Sequence, residues 1–391
     1  MNMTCGPGLD SFHQEYAKVH GYASILVCIF GSIANTLNIA VLSRREMSSP
    51  TNAILTGLAV ADLLVMLEYM PYASHMYLYH RSRRDTYTYG WSVFVLVHSL
   101  FTQVCHTISI CLTVTLAIWR YIAIAHPQKN REWCSFNRTI FAIIGAYVIC
   151  PLICLPVYFT TAVTSKTELL NSHGNSINLT IYNDTIYNET LWFVDLSETM
   201  KDNNLLEQLN IWMYSVVIKL IPCFALTILS LRLILALLEA KKRRKLLTAS
   251  TVIKLSNNKT IDNGCDLKKN LNKKKTTRLL DKERQTDRTT RMLLAVLLLF
   301  LLTEFPQGVL GLLSVILGPS FFRTCYVKLG EVMDILALIN SAINFILYCA
   351  MSRQFRTTFQ QLFCNWMPIS HHDNNGHTMT ATHTMTQVTQ V

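Results

Sequence analysis

Two sets of polar residues stand inside long apolar runs of this 391-residue chain. Ionisable groups are costly in such surroundings and mark functional positions by default. Asp62 interrupts the run LAVADLL, and counting along the other runs brings Asn35, Ser109, Asn340 and Asn344 to a similar depth. Oxygen-bearing side chains of this kind could hold a small hard cation such as sodium. The second set, Glu68, Lys219, Glu304, Gln307, Glu331 and Asp334, lies nearer one common end of the runs. It suits a ligand carrying a positive charge and amide groups. Alternatively these residues pair with one another, as Lys219 with Glu304, and hold helices together. His98 and His106 could ligate a metal, but no GxSG or paired-aspartate motif accompanies them, so the chain does not read as an enzyme. Trp119-Arg120-Tyr121 ends the third run with an arginine that either snorkels to the membrane edge or has a function there.

The elements that must position these residues are membrane helices. The composition is 51% hydrophobic and only 15% charged, with a mean hydropathy of +0.28. A soluble domain carries roughly 25% charged residues. Seven stretches are long and apolar enough to cross a bilayer as helices, over 20–43, 53–79, 91–124, 139–163, 209–239, 292–318 and 327–350. Pro71, Pro151, Pro156, Pro222 and Pro306 fall within them, which neighbouring helices in a membrane bundle tolerate and a soluble helix does not. The fold class is therefore an all-α membrane protein, a seven-helix bundle. Residues 351–364, MSRQFRTTFQQLFC, set Phe355, Phe359, Leu362 and Phe363 opposite Arg353 and Arg356, which predicts a short amphipathic eighth helix (351–367) on the inner leaflet.

Charge orients the bundle. The net charge is +11, and residues 241–291 alone hold 17 Lys or Arg against 5 Asp or Glu, a net of +12. The rest of the chain is near neutral. Arg44 and Arg45 follow the first span, so the positive-inside tendency places segment 1–19 outside, loop 240–291 inside and the C-terminus in the cytoplasm of a multi-pass plasma-membrane protein. Arg81, Arg83 and Arg84, in an external loop, depart from the rule. The sequons at Asn2, Asn178, Asn183 and Asn188 all fall outside and are the expected glycosylation sites. The basic loop suits anionic lipid and a protein partner, not nucleic acid. Segment 164–208 is polar and acidic; it either attracts a basic ligand or is simply a solvated loop.

Among 12 cysteines only Cys5 and Cys325 lie in the oxidising exterior, making them the candidate disulfide. Cys364 is a candidate for palmitoylation or a free thiol. The tail 368–391 is expected to be disordered, with threonines open to phosphorylation and Thr389-Gln390-Val391 able to add a strand to a PDZ domain. Its histidines have no metal-site spacing.

Asn35, LAVADLL with Asp62, Arg120-Tyr121 with Pro127, Pro222, Phe300 with Pro306, and Asn344 with Tyr348 together resemble the rhodopsin-like G-protein-coupled receptors, from Asn35 to Cys364. There are departures. Trp119 replaces the usual acid, Glu304 stands where a toggle Trp is common, and Phe345 replaces a Pro. The usual loop disulfide is ruled out by Val95 and by the lack of cysteine in 164–208. The runs TEFPQG (303–308), 333–359, WRYIAIAHPQ and HTISICLTVTLAIWRY are similar to the arthropod myosuppressin receptors, a branch near the FMRFamide-type and sex-peptide/myoinhibitory-peptide receptors. That resemblance implies a C-terminally amidated RF-amide peptide ligand and a heterotrimeric G protein, Gi/o in most cases, with arrestin as a further partner. It also implies G-protein activation through Arg120, Tyr121, Pro127, Asn344 and Tyr348, and no cofactor beyond an allosteric sodium ion. A myoinhibitory- or sex-peptide-type ligand is the rival, and a transporter or intramembrane enzyme the alternative from another class. No internal repeat of the kind found in transporters is visible.

Overall fold

The computed structural model describes residues 5–79, 81–176, 186–197, 209–257, 294–295 and 298–363. Seven helices are long and apolar enough to cross a membrane: α1 Pro7–Leu42, α2 Pro50–Leu78, α3 Tyr89–Ala125, α4 Phe136–Ile153, α5 Leu209–Ala236, α6 Leu298–Leu317 and α7 Phe322–Ala350. A further helix, α8 Arg353–Phe363, follows. The chain is a multi-pass membrane protein.

Local chemistry sets the helix ends and irregularities. Pro50 starts α2 where its missing N–H is no loss, and the Ser49 side chain accepts from the Asn52 N–H at 3.2 Å. Thr88 caps α3 in the same way through Trp91. Prolines loosen the ladder near two wider turns, Ser74–Leu78 after Pro71 and Met213–Leu220 before Pro222. Helix α7 is interrupted at Ile343, between Gly330–Ala342 and Asn344–Met351.

Packing is tight where small residues permit it. A Cβ on Gly31 would stand 2.9 Å from Met66 Sδ and 3.1 Å from Ala342 Cβ, so glycine lets α1 approach both α2 and α7. One buried cluster joins Leu42, Ile54, Leu58, Leu112 and Leu116 to Tyr348 and to Phe355 of α8. Another joins Ile110, Ala117, Ile218, Leu226 and Phe300 across α3, α5 and α6.

Three expectations need correction. Helix α1 begins at Pro7, well before residue 20, because its polar first turns are helical without being apolar. Helix α4 stops at Ile153, not at 163, and a strand begins at Thr161: Pro156 cannot continue the ladder, and TTAVT favours extended backbone. The acidic segment 164–208, for which the sequence suggests no regular element, shares in a hairpin, β1 Thr161–Leu170 antiparallel to β2 Tyr187–Leu196.

The hairpin also accounts for the misplaced arginines. Arg83 donates to both oxygens of Glu168, at 2.6 and 2.9 Å, and Arg84 Nε donates to Glu189 at 2.6 Å. Ser92 Oγ donates to the Trp192 carbonyl at 2.6 Å, and the Trp192 N–H donates to the Tyr87 carbonyl at 2.9 Å. Polar bonds thus fasten the hairpin to the start of α3. Cys5 and Cys325 form a disulfide, and Asp10 pairs with Lys328 beside it, so the chain's beginning is fastened to α7.

Candidate functional site

At the hairpin end, a cavity of about 270 Å³ lies between α2, α3, α5, α6 and α7. Its wall holds Asp334, His98, Gln103 and Tyr72, and it reaches Lys219, His106, Gln307 and Ser341. Polar and ionisable side chains make up more than half of the lining, set among Val65, Tyr69, Tyr214 and Leu338, and convergent polar groups of this kind fix the orientation of a bound ligand.

Lys219 and Glu304 are 1% and 0% exposed, and Lys219 Nζ donates to Glu304 Oε2 at 2.6 Å. His106 Nε2 meets the same oxygen at 3.0 Å, so α3, α5 and α6 converge on one carboxylate. Glu304 is not a wall residue: it lies behind Lys219 and His106, and its Oε1 is buried without a hydrogen-bond partner among the described residues. Gln307 does line the cavity and donates to the Tyr214 hydroxyl at 3.0 Å.

The other three acids of the second set separate. Glu68 is held by His98 Nδ1 at 2.6 Å and accepts from the Thr102 hydroxyl at 2.9 Å. Glu331 pairs with His13 at 3.2 Å, outside the cavity wall. Asp334 lines the cavity beside Tyr69. His98, Thr102 and His106 recur every fourth residue and so share one face of α3. That spacing could have revealed them as partners of the two glutamates. Taken by residue type alone, His98 and His106 suggest only metal ligands.

Deeper in the bundle, Asp62 is 1% exposed. It accepts from Ser109 Oγ at 3.1 Å and from Asn344 Nδ2 at 3.3 Å, and Ser341 stands beside the same carboxylate. Asn35 belongs to the same layer: its Nδ2 donates to the Ser341 carbonyl at 3.0 Å, and its Oδ1 is buried without a partner among the described residues. Asn340 makes no hydrogen bond to Asp62; its neighbour Ser341 takes that place. Ser341 also lines the cavity, so it links the two sites.

At the opposite end, Trp119 turns toward α4, where its Nε1 donates to Thr139 Oγ1 at 2.9 Å. Arg120 Nε is buried without a hydrogen-bond partner among the described residues. Tyr121 packs edge-on to His126 at 6.0 Å, and Pro127 opens a short helix, Pro127–Trp133. Tyr348, 2% exposed, packs against Phe355 with ring centroids 5.7 Å apart. Asn188 is exposed on β2, while Asn2, Asn178, Asn183, Cys364 and Thr389-Gln390-Val391 lie outside the described residues.

Comparison with known proteins matches residues 22–262 and 265–366 to the family model described as serpentine type 7TM GPCR chemoreceptor Srw. The chain is 29% identical over 361 residues to the G-protein coupled receptor dmsr-1 of Caenorhabditis elegans, covering 90% of this chain and 69% of that one. It is 29% identical over 371 residues to the sex peptide receptor of Drosophila melanogaster (93% and 75%). It is 23% identical over 348 residues to the FMRFamide receptor of the same species (86% and 52%). With seven membrane helices and a family match running through all of them, the chain belongs to the Srw family of seven-transmembrane G-protein-coupled receptors, which are receptors and not enzymes.

Proposed function

We propose that this receptor binds a C-terminally amidated RF-amide peptide of the myosuppressin type and activates a heterotrimeric G protein of the Gi/o class, lowering cAMP. The observation that carries the proposal is the cavity at the hairpin end, which sets the Asp334 carboxylate on one wall and Gln307, His106 and Lys219 on another. An arginine side chain would pair with Asp334. Glu68 and Glu331 are equal candidates by sequence, but neither lines the cavity: Glu68 is bonded to His98, and Glu331 lies 3.2 Å from His13. The peptide's carboxamide would meet Gln307 and His106, and Glu304 would act through His106 and Lys219 rather than touch it.

The hairpin end faces outward in this reading, with the N-terminus outside and the C-terminus in the cytoplasm. Asn2, Asn178, Asn183 and Asn188 are then available for glycosylation. Peptide binding favours the arrangement whose cytoplasmic end admits the G protein. Arg120, whose Nε has no hydrogen-bond partner among the described residues, would engage that G protein as Tyr121, Asn344 and Tyr348 repack around it. Arrestin and a PDZ protein at Thr389-Gln390-Val391 would follow activation, and Cys364 would carry palmitate at the end of α8.

The Asp62 cluster suits a sodium ion. Its donors are hard oxygens, and the buried Oδ1 of Asn35, without a partner among the described residues, is an acceptor in want of a cation or a donor. Asn35, Asp62, Ser109, Ser341 and Asn344 would surround the ion, which would supply positive charge to an otherwise uncompensated carboxylate.

A second reading, a sex-peptide or myoinhibitory-peptide ligand, is favoured by the 29% identity to the sex peptide receptor. A panel of amidated peptides applied to transfected cells, with cAMP inhibition as readout, separates the two. RF-amide peptides of the myosuppressin type should be the most potent, and stronger activation by the rival class would replace the first reading with the second.

A further inference from the structure

Around the end of the bundle opposite the hairpin, a second cavity of about 510 Å³ opens between the end of α1, the start of α2 and the flank of α4. Its two halves differ in chemistry. One is polar, formed by Ser43, Arg44, Arg45 and Ser48 in the turn that joins α1 to α2. The other is apolar, formed by Ala53, Val60, Phe136, Ile140 and Ile143, with Tyr147 behind them. Phe136 and Ile140 are 46% and 36% exposed, and Phe141 and Ile144 continue the same exposed apolar surface of α4. The apolar half is therefore open sideways, toward the bilayer interior. Tyr147 donates to the Gly57 carbonyl at 2.8 Å, which braces the groove's inner wall from α4 to α2.

Arg44 and Arg45 are both exposed, and neither forms an ion pair among the described residues. Glu46, next along the chain, is not part of the lining. The first turn of α2 adds its positive dipole end to the same polar half. A soluble anion would leave the apolar half uncovered, and a neutral lipid or sterol would leave two guanidiniums without a counter-charge. The occupant that satisfies both halves is an amphiphile with an anionic head and a hydrocarbon tail.

We propose that this groove is a binding site for an anionic phospholipid of the inner leaflet. The phosphate lies against Arg44 and Arg45 and accepts from the Ser43 or Ser48 hydroxyl. One acyl chain runs along α4 over Ile140 and Ile143. The site is remote from the ligand cavity and shares no lining residue with it. The proposal rests on the orientation given under Proposed function, because anionic phospholipid is concentrated in the cytoplasmic leaflet.

The test uses full-length receptor, purified, delipidated and titrated in detergent with dioleoyl phosphatidylserine or dioleoyl phosphatidylcholine, with bound lipid counted by native mass spectrometry. Phosphatidylserine should be retained in preference to phosphatidylcholine. Arg44→Ala with Arg45→Ala should weaken its retention about thirty-fold, as expected for two surface cations. Arg44→Lys with Arg45→Lys should keep most of it, which separates loss of charge from misfolding. Ile143→Trp, which fills the tail slot with both arginines in place, should also lower retention, whereas Arg353→Ala on α8 should not. Equal retention of the two lipids, or full retention by the double alanine variant, would overturn the proposal. So would cholesterol displacing phosphatidylserine, or glycerophosphoserine (the head without its chains) competing as well as the intact lipid. No peptide or G protein enters the experiment, and antibody access to a C-terminal tag with and without permeabilisation checks the orientation separately, so failure of either is distinguishable.

Discussion

Replacing Glu304 by leucine tests whether the buried carboxylate at the meeting of α3, α5 and α6 is a structural clasp. Lys219 and Glu304 stand 2.6 Å apart and are almost wholly enclosed. At an effective dielectric near 20 their attraction is about 6 kcal/mol, against a desolvation cost of several kcal/mol for each ion. The net value of the pair is therefore small, but stranding one member is expensive, about 3–5 kcal/mol. Glu304→Leu strands the Lys219 ammonium, which keeps the Tyr214 ring at 5.7 Å and the Asp334 carboxylate across the cavity but no direct ion pair. Lys219→Met strands less, because His106 still hydrogen-bonds the Glu304 carboxylate. The double variant leaves neither the ammonium nor the carboxylate stranded, only His106 Nε2 without its hydrogen bond, and replaces the pair by apolar side chains of similar volume. In thermal unfolding of purified receptor, Glu304→Leu should lower Tm by roughly 6–10 °C. Lys219→Met should lower it by less, and the double variant should recover most of the loss. Equal, additive losses from the two single variants would refute the reasoning, since the pair would then not act as a unit.

Three further outcomes follow from the same geometry. The Arg83 hydrogen bonds hold the Glu168 carboxyl below the usual carboxylate range. Such a group stabilises fully above its unfolded pKa of about 4.3, and the contribution is lost as pH falls through the lower folded value. Amide-exchange protection of the hairpin should therefore weaken on acidification below about pH 4 and in high salt, and Glu168→Gln should reduce the pH response, leaving the share carried by Arg84 and Glu189; unchanged wild-type protection would count against the anchoring. Cys5→Ser opens a disulfide between residues 320 apart and should cost about 2–4 kcal/mol, read as a lower Tm that reductant no longer affects. Asp62→Asn should remove any dependence of peptide affinity on sodium that the wild type shows, and a variant that keeps the dependence would place the ion elsewhere.

The seven spans could be read from the sequence because a bilayer demands about 20 apolar residues in a row, a local signal. The hairpin could not. Its strands lie in an Asn- and Thr-rich segment, and its anchor joins Arg83 to Glu168, 85 residues apart, which no periodicity reveals. The arginines that broke the charge rule carried the hint, since unpaired cations on the outer side needed acids nearby. Counting along spans brings Asp62, Ser109, Asn340 and Asn344 to one depth, whereas the side chains beside the Asp62 carboxylate are Ser109, Asn344 and Ser341. Depth is read from residue number, whereas facing turns by about 100° at each residue of a helix. The same limit applies to the acids: Glu68, Glu331 and Asp334 were alike in height, and only packing separates the cavity-lining Asp334 from the two with histidine partners.

The central claim is that Asp334 receives the arginine of an amidated peptide. It is tested most directly by a cycle in which wild-type receptor and Asp334→Asn each meet the RF-amide peptide and its citrulline analogue, which keeps the side-chain shape without the charge. Close charge pairs at interfaces couple by about 1.5 kcal/mol or more, a factor of about ten or more in affinity. Citrulline should therefore weaken binding to wild type about ten-fold or more. Asp334→Asn should lose as much with the arginine peptide, and citrulline should cost that variant little further. Losses that multiply, with citrulline as damaging in Asp334→Asn as in wild type, would contradict the account.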